Sequence, residues 1–129
     1  MNPEFLEIED VLEIHAMQLE RFGGSEGLRD LGLLESALAQ PSASFENEYL
    51  HDGLFEMAAA YLFHIVSNHP FVDGNKRTGL ICALTFLRIN GIEITVDSIG
   101  LEQMVMTVAR GEMKKPEIAS FLQGYYEAQ

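Results

Sequence analysis

The sequence predicts an all-α, compact single domain of about six helices, built round a central pair of apolar helices that flank a short polar loop. Three observations predict it. Apolar residues recur with helical spacing along most of the chain, and sustained strand alternation is missing. Two long segments, residues 54–68 and 75–89, are strongly apolar, the first nearly all round, as a buried central helix is. The length of 129 residues suits one domain with its own core, residues 1–129, and no repeat, low-complexity tract or Pro/Gly linker divides it.

The elements follow in order. A first helix is expected over about residues 7–22, with Val11, Leu12, His15, Met17, Leu19 and Phe22 on its inner side and Gly23-Gly24 as its stop. A short helix over about 31–39 has Asp30 as its N-cap and ends before Pro41. Residues 41–53 are expected to form an exposed loop or flap. The helix over 54–68 ends where Pro70 disfavours α geometry at His69. The next runs from Asn75 to Ile89 and stops at Asn90-Gly91. Residues 92–96 are a candidate extended piece. Helices over about 98–110 and 116–127 complete the set, with Asp97 and Pro116 as start signals.

Charge and composition narrow the function. A net charge of −12 argues against sequence-independent nucleic-acid binding and against anionic membranes, and favours a partner with a basic face. The N-terminus is acidic without an apolar signal region, and no segment approaches the roughly 20 apolar residues of a membrane span, so a soluble cytoplasmic protein is expected. The single cysteine, Cys82, lies in the run Leu80-Ile81-Cys82-Ala83-Leu84 and reads as a buried apolar residue.

The chemistry is concentrated in His69-Pro70-Phe71-Val72-Asp73-Gly74-Asn75-Lys76-Arg77-Thr78. Gly74 to Arg77 open a helix, whose first N–H groups lack internal partners and attract anions. Gly74 lets the backbone bend and approach closely. Lys76 and Arg77, two of only eight Lys and Arg, add full charges suited to phosphate oxygens. Asp73 beside this anion cradle suits a shared Mg²⁺, which binds through one or two carboxylates plus substrate oxygens. The competing reading is an ordinary N-cap or a salt bridge to Arg77. His69 suits a general base, since an imidazole ordinarily titrates near working pH. The competing reading is a structural, hydrogen-bonded histidine. Asn75 caps the helix or bonds a phosphate, and Phe71 anchors the loop in the core. His64 reads as a core histidine. His15 and His51 have no sequence neighbours that suggest a metal, and Met104, Met106 and Met113 read as packing. One cysteine and no His-x₃-His pair disfavour zinc.

At these residues the sequence resembles the Fic/Doc family, whose loose signature opens His-Pro-Phe-x-(Asp/Glu)-Gly-Asn-(Gly/Lys) and continues into arginine. His69, Pro70, Phe71, Asp73, Gly74, Asn75 and Arg77 fall in register. Gly27-Leu28-Arg29-Asp30, residues 33–38 and residues 85–91 resemble its Doc branch, the toxins of toxin–antitoxin pairs, and the likeness covers about residues 5–125. Two positions depart from the AMP-transferring pattern: Lys76 replaces a second glycine and Leu80 a second arginine. The Doc resemblance implies an inverted ATP whose γ-phosphate passes to a threonine of elongation factor Tu, blocking translation; Gly74 keeps AMP transfer open as the alternative, and a catalytically silent binding module is a third. It implies His69 as base, Asp73 as the Mg²⁺ ligand, Gly74, Asn75, Lys76 and Arg77 as nucleotide phosphate holders, and the 41–53 loop as the flap that docks target backbone. Ser44 to Glu48 has the spacing of the inhibitory helix many relatives carry, but Tyr49 breaks its ending. Inhibition in trans by the disordered tail of a cognate antitoxin is therefore expected.

Overall fold

The computed structural model describes residues 2–95 and 98–129. Six helices are formed among them: α1 (Ile8–Phe22), α2 (Leu31–Ala39), α3 (Leu54–Asn68), α4 (Asn75–Ile89), α5 (Ser98–Ala109) and α6 (Lys115–Ala128). The expected all-α class and the boundaries of its two central helices hold. Asp97, the expected start of α5, and Val96 lie outside the described residues; Ile92 to Thr95 form no strand.

The helix ends follow local chemistry. Glu7 precedes α1 and its backbone N–H donates to Asp10 Oδ2 at 2.8 Å. Asp30 caps α2, its Oδ1 accepting from Leu33 N at 2.9 Å, as the sequence suggests. Before α6, Lys114 N donates to the Glu117 carboxylate at 3.0 Å.

α3 lies at the centre, with α2, α4, α5 and α6 packed on it and α1 on the outer side of α4. Met57 to Leu62, Ile65 and Val66 of α3 are buried, and so are Cys82, Ala83, Phe86 and Leu87 of α4. The α3–α4 crossing is close because Gly79 faces α3: a Cβ there would lie 3.1 Å from Val66 Cγ2 and 3.3 Å from Leu62 Cδ1. Buried Tyr61 ties the N-terminal segment to this core, its hydroxyl oxygen accepting from Leu6 N at 2.9 Å. Burial pushes the Tyr61 phenol up to about 12, so it stays neutral.

Two expectations need correction. Residues 41–53 are exposed at their tip, but they carry a small antiparallel hairpin, β1 (Ser44–Phe45) and β2 (Glu48–Tyr49). Glu46 and Asn47 turn it with φ of 51° and 67°, the left-handed pair a tight hairpin turn requires. The inner face of α1 is also narrower than expected: Val11 and His15 are buried, while Leu12, Met17 and Phe22 are exposed.

Candidate active site

The polar loop starts where α3 ends. His69 closes α3 in the left-handed region, φ 52° and ψ 53°, an uncommon conformation for a non-glycine residue. Its Nδ1 lies 3.1 Å from Val66 O. A carbonyl only accepts, so Nδ1 carries the proton and donates, leaving the Nε2 lone pair free. Pro70 and Phe71 then turn inward. Phe71 is buried, as the sequence suggests, and stacks on His15 with ring centroids 3.7 Å apart.

Asn75 locks this turn. Phe71 N donates to Asn75 Oδ1 at 2.9 Å, and Asn75 Nδ2 donates to Phe71 O at 3.0 Å. Of the two roles open to Asn75, its buried side chain thus serves the loop; its backbone N–H is what it offers an anion. His15 adds a second link across 58 residues, its Nε2 donating to Asp73 O at 2.8 Å.

The segment between α1 and α2 clamps the loop from the other side. Arg29 N and Asp30 N both donate to Pro70 O, at 2.7 and 3.0 Å, and Val72 N donates to Gly27 O at 3.0 Å. The Arg29 guanidinium donates to His69 O at 2.7 Å and Asn68 O at 2.9 Å, capping the last carbonyls of α3. Ser25 N donates to Asp73 Oδ2 at 3.1 Å and Gly74 N to Asp73 Oδ1 at 2.9 Å. These two donors, with smaller contributions from the Arg77 and His15 charges, hold the Asp73 carboxyl below its ordinary range and keep it ionised.

A cavity of about 470 Å³ opens beside the loop, lined by His69, residues 72–77 and Leu80, and on its α5 side by Glu102, Val105 and Met106. It brings together all six residues singled out from the sequence: His69, Asp73, Gly74, Asn75, Lys76 and Arg77. Gly74 takes φ 79° at the head of α4, where no side chain caps the helix. The N–H groups of Asn75, Lys76 and Arg77 therefore point out of the helix unpaired, as anion donors do. Arg77 lies over the Phe22 ring at the end of α1, 4.2 Å from its centroid.

No group of three or more His, Cys, Asp or Glu converges among the described residues, so a protein-only metal cage is not formed. The Asp73 carboxylate, beside the unpaired N–H groups of α4, is of the kind Mg²⁺ takes when it completes its shell with substrate oxygens and water.

Sequence reasoning missed His15, Arg29 and Phe22 as supports of the site, and took Met106 for packing where it is half exposed on the cavity wall. It also took His64 for a plain core histidine. His64 is half-buried, and Lys115 Nζ sits 3.0 Å from its Nε2 and 3.2 Å from His51 Nε2. Burial first, then the Lys115 charge, pushes His64 down to about 4.

An all-α fold that carries this loop between its two central helices, with imidazole, carboxylate and cationic helix start on one cavity, has the arrangement the Fic/Doc resemblance implies. Comparison with known proteins shows the family: residues 5–87 match the model of the Fic/DOC family, and the chain belongs to it. It is 38% identical over 127 residues to a protein named Toxin Doc from Mycolicibacterium smegmatis, covering 97% of this chain and 95% of that one. It is 36% identical over 118 residues to Protein kinase doc of Escherichia phage P1, covering 92% of each.

Proposed function

We propose that this chain is a Doc-type toxin that transfers the γ-phosphate of ATP to a Ser or Thr hydroxyl of a protein, with elongation factor Tu as the target and arrest of translation as the result. The observation that carries this is the shared cavity of His69, Asp73 and the uncapped start of α4 with Lys76 and Arg77. The names of the two relatives support the same reading.

Each residue has a role its geometry suits. His69 Nε2, freed by the Nδ1 contact to Val66, accepts the proton of the attacking hydroxyl. The α4 N–H groups, Lys76 and Arg77 hold the phosphates and offset the charge that spreads over them during transfer. Asp73 holds Mg²⁺, which when bound would neutralise phosphate charge. Rigid positioning of these groups is the fold's main contribution, and the Arg29, His15 and Asn75 links supply it. The exposed 44–49 hairpin offers unpaired strand edges for docking an extended target segment.

Control in trans fits a second surface. A groove of about 1160 Å³ beside α1 and α4 has Ile14, Met17, Ile81 and Leu84 among its apolar lining and Asp10 and Glu13 among its acids. An antitoxin tail that folds into an amphipathic helix with basic flanks suits it.

The test uses purified protein, elongation factor Tu and ATP labelled at either the γ or the α position. Transfer of γ label, lost in His69→Ala, is the expected result. Transfer of α label alone would replace this reading with AMP transfer. Growth arrest by His69→Ala as strong as by wild type would point to a binding module instead.

A further inference from the structure

The cavity has a second wall that the motif leaves without a role. Its two cations, Lys76 and Arg77, come from the first turn of α4, and Leu80 stands one turn further along the same helix. The rest of the lining comes from α5: Glu102, Val105 and Met106. Spacings of three and four place these on one face of α5. The cavity thus pairs a cationic wall at the helix start with an apolar wall that carries a carboxylate.

Glu102 does not neutralise the cations. Among the described residues the one ion pair joins Arg110 to Glu112, and no hydrogen bond engages Glu102. Its position is unlike that of Asp73, whose carboxylate oxygens are each met by a backbone N–H. A bare phosphate chain gains nothing from Leu80, Val105 and Met106 and is repelled by Glu102. A ligand that joins a polyphosphate to a flat apolar body bearing hydrogen-bond donors satisfies both walls. A cavity of about 470 Å³ lies within the roughly 300–1,000 Å³ range of small-molecule sites.

We propose that the α5 wall is the nucleoside half of the site. Leu80, Val105 and Met106 pack on the base, and the Glu102 carboxylate accepts hydrogen bonds from donors of the nucleoside, the ribose hydroxyls or the amino group of the base. This rests on the nucleotide reading above and extends it to a helix outside the residues 5–87 that the family model matches. It also accounts for Leu80: an arginine there would draw phosphate towards the wall that holds the nucleoside.

Calorimetric titration of the full chain with ATP and with inorganic tripolyphosphate, each with Mg²⁺, separates the two walls. Glu102 and Met106 are both exposed, so Glu102→Ala, Glu102→Gln and Met106→Ala leave the core intact, which urea midpoints check. The expected result is that Glu102→Ala weakens ATP roughly ten-fold, by loss of hydrogen bonds to a charged acceptor. It leaves tripolyphosphate as tight as before or tighter. Glu102→Gln recovers part of the loss, and Met106→Ala weakens ATP alone. Insensitivity to Glu102→Ala that appears with 2′-deoxy-ATP assigns the ribose, and with inosine triphosphate the amino group.

Unchanged or tighter ATP binding in Glu102→Ala overturns the proposal, because Glu102 is then only a surface charge. So does a wild type that binds tripolyphosphate as tightly as ATP. A wild type that binds neither ligand sinks the nucleotide reading itself, a result distinct from both.

Discussion

Substituting Gly24 by alanine tests how the site holds its carboxylate. Gly24 has φ +124°, a conformation L side chains rarely adopt, so Ala costs about 1–3 kcal/mol of backbone strain. The added Cβ would also lie 2.8 Å from Asp73 Oδ2 and 3.0 Å from Leu19 Cδ2. Asp73 must swing away to relieve this, losing the Ser25 N–H that fixes its Oδ2. Gly23 is the matched control: it has φ +80°, and a Cβ added there would meet nothing within 4 Å, so Gly23→Ala carries strain without the collision. Urea denaturation should show both variants less stable, Gly24→Ala the more so through its added collision, with unchanged slopes. Transfer of γ label from ATP should fall sharply in Gly24→Ala alone, with a higher Mg²⁺ concentration needed for half-maximal rate. Full activity in Gly24→Ala, or equal losses in both variants, would refute the argument that the Gly24–Ser25 backbone positions Asp73.

Two further outcomes follow from contacts the sequence did not reveal. Phe22→Leu removes the ring beneath Arg77, and a cation–π contact of about 0.5–1 kcal/mol predicts a rise in the KM for ATP of roughly two- to five-fold with kcat and urea midpoint little changed, restored by Phe22→Tyr; a change in kcat alone would count against it. His64 should make stability fall with acid: its native pKa, about 4, lies below the ordinary 6.5, so the unfolded chain binds the proton first and stability present above pH 6.5 is lost as pH drops towards 4. Because His64 is only half-buried, the loss is about 1–2 kcal/mol after solvent screening. His51, lowered by burial and Lys115 against the opposing charge of Glu56, adds in the same direction. Urea midpoints between pH 4 and 7 should be flatter in His64→Gln than in wild type, and parallel curves would remove His64 from the account.

The helices were legible because burial repeats along them. The apolar records of α3, from Leu54 to Val66, and of α4, from Gly79 to Ile89, are each longer than an ordinary strand, and that length settles them as helices. The hairpin was not legible, since strands of two residues, Ser44–Phe45 and Glu48–Tyr49, are too short to show a period of two. The grouping of His69, Asp73 and Lys76 was readable because one short run of consecutive residues fixes it locally. Its supports were not, because they arrive from far along the chain: His15 reaches Asp73 across 58 residues and Arg29 reaches His69 across 40. A lone histidine on an amphipathic helix carries no sign of what it will face. The signal nearest to one was Gly27-Leu28-Arg29-Asp30, whose backbone and guanidinium clamp the loop.

These supports explain how a polar loop survives at the end of a buried helix pair. Its carbonyls at Asn68, His69, Pro70, Phe71 and Asp73 all accept hydrogen bonds from Arg29, Asp30, Asn75 and His15. An unpaired buried carbonyl would be costly, so the loop is held in one conformation by its own backbone requirements. The consequence is a division of labour. His69 Nε2, Lys76 and the first α4 N–H groups are left without hydrogen-bond partners among the described residues because others hold the loop, while Arg77 rests on the Phe22 ring. On the proposed reading, the motif would fix where phosphates sit but leave the direction of the nucleotide open. That direction would have to come from residues beyond it, and Leu80 with the α5 wall are what the cavity provides. Which phosphorus faces His69 would then be decided, on that reading, by where the nucleoside rests, not by the signature that identifies the family.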